Sequence, residues 1–322
     1  MSLEAPSVAV DLLVSDYFDQ WLAHARTRVR IKTWEGYESL LRRHARPALG
    51  PFALLHVTPL IVQGLYGDLM KGDHPLSAGT VLNLHLVLTQ AFGQAVRWGI
   101  IDRSPTSGAQ PPRPRRSEPV VVDTALAHRL LEAVAGTPYS LPAAIALGTG
   151  MRRGEILALR WSDLERDLSV AYVRRSVHPV RDGLAYELPK TKRSRRAVVL
   201  PQYLATLLTV HREDQLSRRS RSRPWEHDLV VDDGKGRPMH PDSLSGGWRR
   251  TLRQAGLPQV RFHDLRHAHA TLMLQQGIHP KIVSERLGHA SIGITLDTYS
   301  HVLPSMQAEA AEAVDAIFGA SR

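Results

Sequence analysis

Residues 261–272 read RFHDLRHAHATL, with three histidines, two arginines and an aspartate in one short stretch. On a helix, His263 and His267 stand four residues apart and share a face. That is the spacing of a two-histidine zinc site, with Asp264 where a metalloprotease carries its catalytic carboxylate. Arg266 argues the other way, because a guanidinium directly before the second histidine repels a dication. His263 and Arg266, three apart, share a face equally well, and both donate hydrogen bonds to phosphate oxygens. The stretch therefore fits either a metal or a phosphate. As a bare histidine pair on a helix it is also compatible with simple packing.

The composition narrows the choice. The chain has 322 residues, 43% of them hydrophobic, enough for two domains each with its own core. It has no cysteine, which excludes disulfides, thiolate catalysis and cysteine-ligated zinc. Lys and Arg exceed Asp and Glu by 41 to 31. The excess is uneven: residues 1–104 carry ten basic and nine acidic side chains, residues 119–322 carry 28 and 21. Such a surplus suits a polyanion, nucleic acid or an acidic membrane surface, although a solubility charge gives the same count. The start, MSLEAPSVAVDLL, lacks the basic region of a signal peptide, and no apolar run is long enough to span a bilayer. The expectation is a soluble, cytoplasmic protein.

A break follows residue 103. The segment SPTSGAQPPRPRRSEP (104–119) has five prolines, no hydrophobic pattern and three arginines, Arg113, Arg115 and Arg116, and reads as an extended basic linker. It divides the chain into an all-helical domain, 1–103, and a second domain, 120–322. In the first, Val14, Phe18, Trp21, Leu22 and Ala25 mark one buried helix face. Further helices are predicted over Thr33–His44, ahead of the break RPALGP, from Thr58-Pro59 onward, and over Ser77–Trp98 with Leu84, Leu88, Phe92 and Val96 as its stripe. In the second domain helices are predicted at 124–135, 138–148, 153–159, 201–216, 242–255, 263–276, 280–287 and 305–318. Between them LSVAYVRRSV and LAYELPKTKRSRRAVVLP read as antiparallel strands turning at Arg181-Asp182-Gly183. The fold class is mainly α: a helical bundle followed by an α+β domain with a small antiparallel sheet.

Four further features carry chemistry. TGMRRGEILALRW (149–161) puts Arg152 at a helix start, where free N–H groups favour an anion. KTKRSRR (190–196) places Lys190 and Lys192 on one side of a hairpin tip. LGHASIGITLDTYSHV (287–302) reads as a helix end and loop with His289 and Tyr299, and SMQAEAAEAVDAIFGA (305–320) is amphipathic. Singly these are ordinary surface or core residues. Together they supply phosphoryl transfer without a metal: guanidiniums to clamp oxygens, a tyrosine nucleophile, a lysine acid and histidines to move protons.

In this order and wording the boxes resemble the tyrosine recombinase, or phage integrase, family. TGMRRGEILALRW resembles the box of its first catalytic arginine, which implies Arg152 with Glu155 as supporting acid. KTKRSRR resembles the hairpin of the catalytic lysine. Lys190 and Lys192 compete there, and the family's habit of a threonine before its lysine favours Lys192. HDLRHAHATLML resembles the His-x-x-Arg box, implying His263 and Arg266, and LGHASIGITLDTYSHV the last box, implying His289 and the nucleophile Tyr299. The first domain resembles the family's SAM-like core-binding domain and the second its DNA breaking-rejoining catalytic domain. No separate arm-binding domain is matched ahead of it, which favours a simpler recombinase or a chain trimmed at its start.

The resemblance implies site-specific cutting and rejoining of double-stranded DNA through a 3′-phosphotyrosine, with no cofactor, no metal and no ATP. It implies two domains closing on a duplex, a homotetramer on two recombination sites exchanging helix 305–320, and accessory DNA-bending proteins as partners, with no membrane. Arg113, Arg115, Arg116, Lys190, Arg193, Arg195 and Arg196 are the expected DNA contacts. Two other classes stay open: a type IB topoisomerase relaxing supercoils as a monomer, and a hydrolase built on a His263–His267 metal.

Overall fold

The computed structural model describes residues 12–71, 74–114, 120–188, 195–219, 228–299 and 305–319, the side chains of 219, 297–299, 305–310 and 313 excepted. The chain divides into two compact units, one up to residue 118 and one from 119 onward.

The first unit is helical. Helix α1 (Val14–Arg26) buries Val14, Tyr17, Phe18, Trp21, Leu22 and Ala25, the face expected from spacing together with Tyr17. Helix α2 (Ile31–Leu40) does not stop before Arg46-Pro47. It passes through a π turn (Leu41–Ala45) into α3 (Arg46–Leu49). Pro47 sits in the first turn of α3, where its missing N–H costs nothing. Helix α4 (Pro59–Leu69) is capped by Thr58 Oγ1, which accepts from Ile61 N at 3.4 Å. Helix α5 (Ala78–Arg97) is capped by Ser77 Oγ, which accepts from Thr80 N at 3.2 Å. Leu84, Leu88 and Phe92 of α5 are fully buried, but the stripe ends in Ala95 rather than Val96. A strict four-residue step drifts by about 40° per step on a helix of 3.6 residues per turn, so the fourth member, Val96, stands at the edge of the face, partly buried and still packed on the core.

The linker begins later than its composition suggested. A 3₁₀ turn (Pro105–Gly108), with Ser104 Oγ accepting from Thr106 N, buries Thr106 and Ala109 against the first unit. Gln110 N donates to Gln63 Oε1 at 2.8 Å. Residues 104–110 are thus docked on the first unit. Small polar residues hide such docking from a composition reading.

The second unit opens with α6 (Thr124–Ala133), α7 (Ser140–Thr149) and α8 (Arg153–Leu157). Among the described residues four strands follow: β1 (Val170–Val173), β2 (Ser176–Val180), β3 (Gly183–Glu187) and β4 (Arg196–Val199). They form two antiparallel ladders rather than one sheet, β1 with β4 and β2 with β3. The expected turn is present: Val180 pairs with Gly183, whose φ of 123° suits glycine. The rest is helical: α9 (Gln202–Arg219), α10 (Pro241–Gln254), α11 (Asp264–Gln275), α12 (Pro280–Leu287), α13 (Ile292–Tyr299) and α14 (Ser305–Phe318). Its core gathers Leu130, Ile145, Ile156, Leu157, Leu244, Trp248 and Leu265.

Helix α13 corrects the sequence reading, which took this stretch for a loop. Gly288, at φ 68°, does end α12, but the chain re-enters a helix four residues later. Ile292, Gly293, Ile294, Thr295 and Thr298 are weak helix formers. Packing against α12 outweighs that local preference.

Candidate active site

The site is built around the turn between α7 and α8. Gly150 ends α7 in the left-handed conformation, φ 68°. Arg152 then caps α8, and Glu155, three residues on, reaches back to it. Glu155 Oε2 accepts from Arg152 N at 2.9 Å and Oε1 from Arg152 Nη1 at 2.8 Å. The backbone N–H of Arg152, one of the donors the sequence offered to an anion, is therefore occupied. The guanidinium is 38% exposed.

Glu155 is 5% exposed. Burial by itself pushes its carboxyl up, but Arg196 first and then Arg152 overcome that and lower its pKa to about 2. Arg196 Nη2 donates to Oε2 at 2.9 Å and Nη1 to Oε1 at 3.2 Å. This corrects the expectation for Arg196 as a DNA contact. Its side chain is only 6% exposed and turned inward, because the buried carboxylate recruits a second cation. Its neighbour Arg195 is exposed, as is Arg113. Lys190, Lys192, Arg193, Arg115 and Arg116 lie outside the described residues.

Helix α11 brings the opening stretch to the same turn. Arg266, 4% exposed, donates from Nη1 to Gly150 O at 2.7 Å. His263 stands at the mouth of the cleft, its ring edge-on to His267 at 5.4 Å. Asp264 faces Arg261 instead, receiving its Nε, Nη2 and backbone N–H at 2.9–3.2 Å. Among the described residues no group of three His, Cys, Asp or Glu side chains is placed to hold a metal ion.

The end of α12 completes the arrangement. Gly288 O accepts from Arg152 Nη2 at 3.4 Å, and His289 lies next to it. His289 Nδ1 and Thr295 Oγ1 are 2.8 Å apart, which ties His289 to α13. Tyr299 closes α13, and its side chain lies outside the described residues. Partial burial, reinforced by nearby cations, lowers both His263 and His289 to about 4. Arg152 reaches the carbonyl just before His289, and Arg266 the carbonyl two residues before Arg152, so the two guanidiniums and His289 gather at one turn, with His263 three residues ahead of Arg266 on α11. Two guanidiniums and two neutral imidazoles can bind phosphate oxygens and take up a proton.

Comparison with known proteins bears directly on this constellation. The phage integrase family model matches residues 123–306, a span that holds Arg152, Glu155, His263, Arg266, His289 and Tyr299. This chain belongs to the phage integrase family. A second model, the phage integrase N-terminal SAM-like domain, matches residues 13–70. A tyrosine recombinase XerC-like protein of Caldanaerobacter subterraneus subsp. tengcongensis is 27% identical over 96% of this chain and 84% of its own length. The Tn1549 transposon integrase, solved with a circular intermediate DNA, superposes with a TM-score of 0.80 over 94% of this chain and all of its own. A lambda integrase tetramer solved on a Holliday junction gives 0.66 over 87% of this chain and 75% of its own. At 21% and 17% identity these two speak for the fold alone. The chain is a DNA strand-transferring enzyme of site-specific recombination, and the topoisomerase alternative is not favoured. No helix among the described residues is long and apolar enough to cross a membrane.

Behind the recombinase's site lies a layer that the motifs did not reveal. His269 is 6% exposed. Its Nδ1 meets Leu147 O at 2.7 Å, and its Nε2 accepts from Arg286 Nε at 3.2 Å. Arg286 Nη2 also donates to Gly148 O at 2.8 Å. These bonds lock α11 and α12 to the end of α7. Motif spacing singles out neither His269 nor Thr295; the partners of His269, Leu147 and Arg286, are distant along the chain, and Thr295 lies in a stretch that reads as loop.

The His269 bonds predict a pH dependence of stability. Burial lowers His269 from its ordinary 6.5 to about 4. Between those values the unfolded chain binds a proton that the folded one does not. Stability is therefore complete above pH 6.5 and falls on acidification toward pH 4, by up to about 3 kcal/mol from this group. Urea unfolding at pH 7 and pH 4.5 measures the loss, and His269→Gln is expected to make it smaller by this group's share, the shares of His263 and His289 remaining.

Proposed function

We propose that the recombinase cuts one DNA strand with Tyr299 and passes it to a partner duplex. The tyrosine oxygen attacks the scissile phosphorus, the P–O5′ bond breaks, and a 3′-phosphotyrosyl link forms. Arg152 and Arg266 bind the non-bridging oxygens as charge builds on them. His263, held neutral, takes the phenol proton, and His289 donates a hydrogen bond to the phosphate. Lys192 gives its proton to the departing 5′-oxygen. A 5′-hydroxyl from the partner strand then attacks the same phosphorus and expels the tyrosine. One phosphodiester replaces another, so the energy balance needs no nucleotide cofactor.

The observation that carries this reading is the convergence of Arg152, Arg266, His263 and His289, with His289 bonded through Thr295 to the helix that ends in Tyr299. Helix α14 exposes Val314, Ile317 and Phe318, apolar side chains suited to a second copy, which supports a homotetramer on two sites. Exposed Arg113 and Arg195, with Arg115, Arg116, Lys190 and Arg193, supply phosphate contacts outside the cleavage centre. The work is done in the cytoplasm, on the nucleoid, with accessory DNA-bending proteins at the sites.

The test is incubation with a nicked half-site duplex, followed by denaturing electrophoresis. A protein–DNA adduct is expected, and it is expected to form equally well in EDTA. An adduct that EDTA abolishes would overturn the scheme. A strand product that forms from a single unpaired site would count for the topoisomerase reading.

A further inference from the structure

We infer that Arg196 is a positioning residue of the cleavage centre, gripping Glu155 and the C-terminal turn of α12 together so that Arg152 and His289 face one phosphate. The inference rests on the phosphate reading of the site. Arg196 reaches the Glu155 carboxylate and the Arg286 carbonyl at once. Two N–H groups go to the two oxygens of Glu155, and Nε donates to Arg286 O at 2.6 Å. The first partner holds Arg152 by its backbone and its side chain. The second lies three residues before His289, in the turn whose Gly288 O also receives Arg152. One side chain therefore spans β4, α8 and α12, the elements that carry both ends of the clamp.

Local geometry makes room for that grip. Gly288 takes φ 68°, and a Cβ there would stand 3.0 Å from Arg196 Nη1, so the guanidinium lies flat against the turn only because no side chain intervenes. Arg286, which lends its carbonyl to Arg196, is fixed from the other side by its bonds to His269 and Gly148 O. The turn is thus held at both faces.

Charge points the same way. Glu155 with both arginines leaves one positive charge for the phosphate, whereas Glu155 with Arg152 alone leaves none. Arg196 is the leading cation in keeping the buried carboxylate ionised, with Arg152 second. Its guanidinium is turned to Glu155 and Arg286 O rather than outward, which makes a direct DNA contact a poor account of it.

The experiment measures single-turnover cleavage of the nicked half-site at saturating DNA, together with DNA affinity and the pH profile, for Arg196→Gln, Arg196→Lys and the double variant Arg196→Gln/Glu155→Gln. Arg196→Gln is expected to cut about 10²-fold more slowly, the scale of a misplacement near 1 Å, with affinity close to wild type. Without Arg196, burial raises the pKa of Glu155, so this variant's rate should gain a second acid limb, beyond the one His263 gives every variant, that wild type and the double variant lack. Arg196→Lys keeps the charge but not the span and should fall between. Should Arg196→Gln fail to fold, a Lys variant cutting at the wild-type rate overturns the inference. So does a Gln variant with weaker binding and an unchanged saturated rate, or one that is slow with no Glu155-dependent limb. Controls in Tyr299→Phe and Arg152→Ala separate the two levels. If those cleave normally, the phosphate reading itself fails; if they are inert and Arg196→Gln is normal, only this inference does.

Discussion

Arg266→Lys is expected to slow DNA cleavage by about a thousandfold, in the range found for removal of a preorganised donor to a developing oxyanion. The side chain is 4% exposed, where a charge acts through little solvent. Its guanidinium is braced on Gly150 O at 2.7 Å, which fixes the direction of the remaining N–H groups. Lysine keeps the charge but carries it as a point on a flexible stem, and cannot both hold that carbonyl and cradle a phosphate. The effect belongs in the cleavage step: single-turnover rates should fall while duplex affinity changes little. An equal loss in affinity would mean that Arg266 holds DNA rather than stabilising the transition state.

Gly150→Ala carries the largest expected cost in stability, about 3 kcal/mol. Part of it is backbone: φ is 68°, a left-handed conformation that disfavours alanine by about 1 kcal/mol. The rest is overlap, since a Cβ would lie 2.6 Å from Leu287 Cδ2 and 2.7 Å from His269 Cδ2. Neither neighbour can step aside. Leu287 is fully buried, and His269 is held at both ring nitrogens. Overpacking of this kind costs about 1–3 kcal/mol. The same residue lends its carbonyl to Arg266, so cleavage should fall along with the urea midpoint. A variant as stable as wild type would show that the turn has slack, and with it the arginine clamp.

What could be read along the chain depended on how local the physics was. Arg152 and Glu155 sit three apart at a helix start, and His263 and Arg266 three apart on a helix, so spacing alone places each pair on one face. The helical bundle announced itself through α1 and α5, whose buried faces follow the helical repeat. The turn at Gly183 was equally legible, because only a special φ needs that residue type. Helix α13 was hidden by its β-branched residues and glycine, and only its packing on α12 explains it. Arg196 looked like one charge among several in KTKRSRR. Its inward turn depends on Glu155, 41 residues earlier in the chain, where a buried carboxylate demands a partner. Residues 104–110 looked free because small side chains carry no hydrophobic pattern, yet Thr106 and Ala109 are buried.

The central claim is that Tyr299 forms the covalent bond to DNA, and protease mapping of the adduct tests it most directly. Trypsin cutting after Arg286 releases residues 287–322, a peptide with Tyr299 as its one tyrosine. Mass spectrometry of the digested adduct is expected to find the 3′-phosphoryl nucleotide on that peptide, at Tyr299, and to find none in Tyr299→Phe. A nucleotide on any other peptide, or an adduct that persists in the phenylalanine variant, would contradict the account.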